Sequence, residues 1–311
     1  MLSLLLPAPL AGAIAYFLLL GSTILAGGSI LPVALIKLLV PIAPFRRACS
    51  RLAVWLAGFW PRTNRAIYSL IHPRRWRVEI NGDIQRGRNY LLVCNHQSWT
   101  DILVLADVFS DKLPFPRFFL KHELLYVPLI GTGCWAMDFP FMKRHSREAV
   151  AANPALKGED LEATRRACEI YKTQPVLVIN FLEGTRFSEA KRAARQSPYR
   201  HLLRPKSAGL AFTLSAMGEQ FAGIIDATIA YQPTTRRNIL WSWLCGEQDT
   251  LTVHAEVLPV PAALLHGDYD GDAQFRAEFQ SWVNALWAHK DAELDTLLQP
   301  AQAARRVARQ F

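Results

Sequence analysis

No charged side chain occurs between Met1 and Ile36, and no two cysteines form a C-x-x-C pair. Cys49, Cys94, Cys134, Cys168 and Cys245 are scattered and odd in number, so neither a disulfide framework nor a cysteine-based zinc site is signalled, and a reducing, cytosol-facing domain is expected. No G-x-S-x-G elbow exists to supply a serine nucleophile, which removes the usual serine hydrolase. Internal repeats and low-complexity tracts are absent too, and only a basic tail around Arg305, Arg306 and Arg309 stands out in composition. Acidic residues are the scarcer sign: 26 Asp and Glu against 35 Lys and Arg leave a formal charge of +9, which favours a phospholipid surface, a phosphorylated substrate or nucleic acid as partner. A chain of 311 residues suits one catalytic domain with an N-terminal accessory segment, here divided as 1–75 and 76–311.

What the N-terminus has instead of charge is length. From Ala8 onward the apolar run is long enough, as a helix, to cross a hydrocarbon core of roughly 30 Å. A cleavable signal peptide fits poorly, because no Lys or Arg opens the run and the run is too long. Gly27, Gly28 and Pro32 interrupt it, consistent either with one tilted helix or with two shorter pieces that re-enter one leaflet. Lys37, Arg46, Arg47 and Arg51 follow, which places the C-terminal side in the cytoplasm. Between Phe45 and Ile71, Leu52, Trp55, Leu56 and Phe59 recur at helical spacing, with a break expected at Pro61 and Arg62 and Arg65 beyond it. Such a helix suits the headgroup level, with Trp55 and Trp60 as anchors, although a helix packed on the soluble domain carries the same pattern.

After the Asn81-Gly82 turn, apolar runs alternate with helical patterns. Strands are expected at Tyr90–Cys94, Val176–Phe181, Ile224–Tyr231 and Leu251–Val257, with a further extended segment from Cys134 to Phe141. Helices are expected at Ser98–Phe109, Asp160–Tyr171, Lys206–Met217 and Asp272–Leu298. This alternation predicts an α/β domain whose mixed, largely buried sheet is flanked by helices, preceded by the N-terminal hydrophobic anchoring segment.

Three clusters carry chemistry. Tyr90–Asp101 reads YLLVCNHQSWTD, so an apolar strand ends at Asn95-His96 and an aspartate stands five residues after the histidine, in the first turn of the next helix. A histidine oriented by a carboxylate can take a hydroxyl proton near neutral pH, which makes His96 a candidate general base and Asp101 its partner. Ser98-Trp99-Thr100-Asp101 also fits a capping box, in which Asp101 satisfies the helix start. Directly after the best strand comes Phe181-Leu182-Glu183-Gly184-Thr185-Arg186: the glycine permits close approach of a ligand and the arginine offers a fork for phosphate, though a plain turn with a solvated arginine reads the same way. The third cluster, Phe119–Leu124 followed by Pro128 and Gly131, offers Lys121 as a second positive charge or a surface lysine.

In this order and spacing the three clusters resemble the lysophosphatidic acid acyltransferase family (PlsC-like, 1-acyl-sn-glycerol-3-phosphate acyltransferases) over about Trp76–Tyr231. Asn95-His96-x4-Asp101 is similar to its N-H-x4-D motif, Lys121–Gly131 to its K-x-E-L-x-x-x-P-x-x-G segment, and Phe181–Arg186 to its F-x-E-G-T-R motif. Met137–Arg144 and Asp226–Tyr231 look closest to the bacterial YihG-type inner-membrane enzymes and the lysocardiolipin-type eukaryotic branch. The resemblance implies transfer of a fatty acyl group from acyl-CoA or acyl-carrier protein to the sn-2 hydroxyl of lysophosphatidic acid or a related lysophospholipid, at the membrane surface and on the cytoplasmic side of the inner membrane. It implies His96 as base with Asp101 as its partner, and substrate binding by Glu183, Gly184, Thr185 and Arg186, assisted by Lys121 and, as a further phosphate contact, Arg144. No metal, cofactor or nucleic acid is implied. One departure is Ile225-Asp226-Ala227-Thr228, which stands where many members carry V-P-V.

Three other functions compete, the nearest a lipid-surface acyl hydrolase, which also handles acyl groups but for which no G-x-S-x-G elbow supplies the nucleophile. Gly131–Ala136 matches G-x-G-x-x-A, but Pro128 interrupts the preceding segment, a strand-like stretch is expected after it, and no acidic residue sits at the required offset for a dinucleotide site. A non-enzymatic membrane scaffold requires all three clusters to be coincidental.

Overall fold

The computed structural model describes residues 1–118, 120–127, 129–142, 165, 168–172, 174–234, 236, 238–248 and 250–308. A single helix, α1 (Ala8–Leu39), runs unbroken through Pro32. It is long and apolar enough to cross a membrane by length and composition. Its buried positions, Ala11, Ala15, Leu19 and Ser22 and then Ile30, Val33, Ala34 and Lys37, fall at helical spacing in two stretches, so one face packs on the rest of the chain near each end of the helix. The other face presents Tyr16, Phe17, Leu20, Ile24, Leu35 and Leu38 outward. Lys37 does not project as a free cation: it is 3% exposed, pairs with Asp138 at 2.6 Å and donates to the carbonyls of Trp135 and Ala136.

The amphipathic stretch divides into α2 (Ala43–Ala57) and α3 (Phe59–Ile71), and the break falls at Gly58 rather than at the expected Pro61. Pro61 sits in the first turn of α3, where a missing N–H costs nothing. Trp55 is 60% exposed, whereas Trp60 donates its indole N–H to Thr23 of α1 at 2.9 Å.

Eight strands follow among the described residues: β1 (Arg77–Asn81), β2 (Asn89–Cys94), β3 (Pro116–Arg117), β4 (Leu120–Lys121), β5 (Phe141–Met142), β6 (Leu177–Phe181), β7 (Phe221–Ala230) and β8 (Thr252–Leu258). Six form a sheet in the order β1-β8-β7-β2-β6-β3, and β4 pairs with β5 separately. Every pairing in the large sheet is parallel except β7 with β8, so the sheet is mixed as expected. All six residues of β2 are buried, which is why its sequence reads as a continuous apolar run rather than an alternation.

The interleaved helices are α4 (Thr100–Phe109), α5 (Ile130–Ala136), α6 (Glu189–Ala194), α7 (Ser207–Met217), α8 (Ile239–Leu244) and α9 (Ala273–Ala308). On one face of the sheet, Leu92, Cys94, Ile179 and Ile225 pack with Ala11 and Ala15 of α1, Tyr68 and Ile71 of α3, and Val104, Leu105 and Phe109 of α4. On the other, Leu91, Val93, Val178 and Ile224 pack with Leu210 and Leu214 of α7 and Phe279, Val283 and Trp287 of α9. The departure at Asp226 has a local explanation: its carboxylate pairs at 2.6 Å with Lys290 of α9, which is 0% exposed and also donates to Ala227 O and Thr228 Oγ1.

The expected extended segment at Cys134–Phe141 is corrected. Residues through Ala136 are helical, and only Phe141–Met142 is a strand. A methyl group at Gly131 would lie 2.1 Å from Leu125 O, so glycine lets α5 start against the preceding 3-10 turn (His122–Tyr126). A helix therefore does carry the G-x-G-x-x-A match, but a 3-10 turn rather than a strand leads into it, and the dinucleotide-binding unit is missing there. Of the helix expected at Asp160–Tyr171, most lies outside the described residues, and Glu169–Lys172 form a 3-10 turn.

Candidate active site

The carboxyl ends of β2 and β6, adjacent and parallel, meet at a cleft of about 360 Å³ lined by His96, Trp99, Phe181, Gly184, Thr185 and Arg186 among others. Strand ends of an α/β sheet are where such sites form, because the chain leaves the ladder there and its side chains become free to converge.

Asn95 makes that departure possible. Its side chain donates to Ile229 O and accepts from Ile229 N, both at 2.9 Å, and so extends the β2–β7 ladder past its last backbone pair, Cys94 with Ala227. The backbone is then free to turn and present His96. The imidazole Nδ1 meets Asp101 Oδ2 at 2.8 Å. The same oxygen accepts the backbone N–H groups of Gln97 at 2.7 Å and Ser98 at 2.9 Å, while Ser98 Oγ accepts from Thr100 N at 3.2 Å. One oxygen of Asp101 thus engages both the imidazole and the backbone N–H groups that lead into α4. Asp101 is fully buried, and its other oxygen accepts the phenolic O–H of Tyr231 at 2.7 Å.

The loop after β6 is laced to the same histidine. Phe181 stacks on the imidazole at 4.1 Å between centroids and 19° between planes. Phe187 N donates to His96 O at 2.7 Å, and His96 N donates to Glu183 Oε1 at 2.9 Å. The second oxygen of Glu183 accepts from Leu203 N at 3.0 Å. Glu183 is thus placed differently from the expectation that grouped it with the substrate contacts: it is 0% exposed, and both oxygens are spent on backbone N–H groups that clamp two loops together. Burial pushes its carboxyl up to about 7, against the opposing pull of those two hydrogen bonds.

Gly184 adopts φ of 64°, a left-handed conformation that favours glycine, and a methyl group there would crowd Lys206 Cδ at 3.3 Å. Thr185 Oγ1 accepts from Lys191 Nζ at 2.8 Å. The Arg186 guanidinium lies 5.1 Å over the ring of Trp99, which is 57% exposed at the mouth of the cleft. His96, Asp101, Gly184, Thr185 and Arg186 are therefore brought together. Lys121 ends β4, with its side chain outside what is described, and Arg144 lies outside the described residues.

Sequence reasoning did not single out Tyr231 or assign a task to Asn95. Asn95 stood inside the N-H-x4-D pattern, but Tyr231 merely ends a strand distant in sequence, and no local signal links it to Asp101.

The family model for acyltransferases matches residues 75–232, slightly more than half of the chain and spanning every residue of this site. The chain belongs to the acyltransferase family. Among the relatives of this acyltransferase are a human protein named 1-acyl-sn-glycerol-3-phosphate acyltransferase delta, 26% identical over 80% of this chain and 63% of that one, and an Arabidopsis thaliana 1-acyl-sn-glycerol-3-phosphate acyltransferase 3, 24% identical over 90% and 73%. A yeast 2-acyl-1-lysophosphatidylinositol acyltransferase is 24% identical over 67% of this chain and 61% of its own length. The chain spans about two-fifths to three-fifths of the length of the first curated relatives it matches. The crystal structure of the 1-acyl-sn-glycerophosphate acyltransferase PlsC from Thermotoga maritima superposes with a TM-score of 0.49 at 19% identity, covering 92% of this chain and 95% of that one.

Proposed function

We propose that this acyltransferase moves a fatty acyl group from a thioester, acyl-CoA or acyl-carrier protein, to the free sn-2 hydroxyl of lysophosphatidic acid, giving phosphatidic acid. The observation that carries the reading is the His96–Asp101 pair at 2.8 Å, set in a cleft that Arg186 also lines. Asp101 engages Nδ1, and among the described residues none engages Nε2, which is left to accept the acceptor's hydroxyl proton. As that O–H bond breaks, the oxygen bonds to the thioester carbonyl carbon. The tetrahedral adduct then expels the thiolate, which takes the proton from the imidazolium and restores the base. Arg186 holds the acceptor's phosphate through directed, charge-assisted hydrogen bonds, and the side chain of Lys121 adds a second positive charge.

The N-terminal segment holds the site at a lipid surface: the outward residues of α1, with Leu52, Trp55 and Phe59 beyond it, contact lipid, while Arg47 and Arg51 meet anionic headgroups on the cytoplasmic side of the inner membrane. Flotation of the protein without residues 1–36 on neutral and anionic vesicles tests the basic contribution, since equal release from both leaves it no role.

A second reading takes a lysophospholipid with a larger headgroup, lysophosphatidylglycerol or lysocardiolipin, as acceptor; the yeast relative named for lysophosphatidylinositol favours it. Thiol release measured against a panel of lysophospholipids separates the two. His96→Ala lowers turnover on the true acceptor by about a hundredfold to ten-thousandfold while the protein stays folded, and a variant keeping half its activity overturns the assignment.

A further inference from the structure

The segment after the cleft is dense in cations, and few of them form ion pairs. Arg192 pairs with Glu189 and Arg200 with Asp295, but among the described residues Lys191, Arg195, Arg204 and Lys206 have no carboxylate within ion-pair distance. Three of them converge on three consecutive residues. Arg195 donates to Glu183 O at 3.3 Å, the Lys206 ammonium lies 3.6 Å from where a methyl group at Gly184 would stand, and Lys191 Nζ donates to Thr185 Oγ1. Arg204 joins them by donating to Gln196 O, one residue beyond Arg195. Gly184 and Thr185 line the cleft, so this collar borders the reaction site.

The collar touches Arg186 at one point, where Lys191 Nζ donates to Arg186 O at 2.9 Å, but the chain that carries it packs on a different face of the sheet from the Arg186 side chain. Arg186 reaches to Trp99, at the start of α4, whose side chains pack on the same face of the sheet as α1. The chain that carries the collar packs through Tyr199 and Leu202 on the other face, with α7 and α9.

We propose that Lys191, Arg195, Arg204 and Lys206 bind the phosphorylated pantetheine carrier of the acyl donor, the anionic chemistry that coenzyme A and carrier protein share. The assignment rests on the acyl-transfer reading above. Clustered, unneutralised cations beside a cleft raise the local concentration of an anionic co-substrate, and two lost cations weaken its capture without touching the base.

The test is the double variant Arg204→Ala/Lys206→Ala, assayed in the full chain with three donors of one acyl length: acyl-CoA, acyl-carrier protein and the uncharged acyl-N-acetylcysteamine thioester. The expected result is a roughly five- to fiftyfold fall in kcat/KM for acyl-CoA, for acyl-carrier protein or for both, relative to kcat/KM for the uncharged thioester, with the deficit shrinking as salt rises. A fall confined to one charged donor identifies the carrier. Equal change with all three donors, no change with any, or a rise in KM for the acceptor alone overturns the proposal, the last pointing to the lipid. Lys206→Arg restores the lost selectivity if charge is what counts, and the thermal midpoint of each variant separates misfolding from weakened capture. Activity of the native chain, abolished by His96→Ala with every donor, tests the acyl-transfer reading separately.

Discussion

Tyr231 closes the far side of Asp101: its phenolic O–H reaches Oδ1 at 2.7 Å while Oδ2 is occupied by His96 Nδ1 and two backbone N–H groups. Both oxygens of the buried carboxylate are thereby engaged, and the imidazole cannot turn without breaking its bond to Oδ2. Burial, together with the adjacent Asp101, raises the Tyr231 hydroxyl well above its ordinary range, so it stays a donor at any working pH.

Tyr231→Phe therefore leaves one buried oxygen of Asp101 unpaired, at a cost of about 1–3 kcal/mol in stability. Turnover falls by about tenfold through looser orientation of His96, with KM for the acceptor unchanged. Denaturant unfolding and steady-state kinetics on the same preparation check both, and an altered acceptor KM with normal kcat contradicts the positioning role.

Glu183 makes stability depend on pH. Its carboxyl rises to about 7 in the folded chain from an ordinary 4.5, so between these values the folded state holds a proton that the unfolded state has released. Stability from this group is complete below about pH 4.5 and is lost as pH rises through about 7, a change of about 3 kcal/mol. Glu183→Gln removes that slope while lowering stability overall, because an amide offers one acceptor where two N–H groups need partners. Unfolding free energies at pH 5 and pH 8 show a smaller difference in the variant than in the native chain; an undiminished difference rules Glu183 out as its source.

Trp99 and Arg186 act as a unit, with the guanidinium held over the indole at 5.1 Å. Arg186→Ala raises KM for a phosphate-bearing acceptor by roughly ten- to a hundredfold, and Trp99→Ala by less, about two- to fivefold, since the cation remains but loses its rest position. In the double variant the Trp99 effect disappears. Additive effects show that the ring serves lipid contact rather than Arg186.

The pair between Lys290 and Asp226 is buried at the junction of α9 and β7. Lys290→Met strands a carboxylate and costs about 3–5 kcal/mol, whereas Lys290→Met with Asp226→Val recovers most of that loss. Thermal unfolding of the single and double variants decides this, and a double variant no better than the single one shows that the lysine's bonds to Ala227 and Thr228 matter more.

Much of the scaffold was readable along the chain. The strand at β2 and the helix at α4 declare themselves through apolar run length and helical spacing, and the turn between them exposes His96 and Asp101 at a separation that a single turn can close. The break between α2 and α3 was misplaced because Pro61 looks like a stop wherever it stands, while only the observed helix start shows it in a first turn where no N–H is needed. Cys134–Ala136 read as extended because its helix follows from the close approach of Gly131 to Leu125 O in the preceding turn, a backbone contact that apolar patterning does not reveal.

By itself the sequence determined the alternation of elements, the apolar N-terminal helix and the motif residues, because periodicity, turn chemistry and charge act between near neighbours. Only the tertiary structure decided that Glu183 is buried with its oxygens on two backbone N–H groups, that Tyr231 completes the Asp101 shell from 130 residues away, and that Lys37 is a buried ion-pair partner of Asp138. Those outcomes depend on which groups lose their water when distant strands and helices meet, and desolvation is a property of the packed fold that no stretch of chain carries alone.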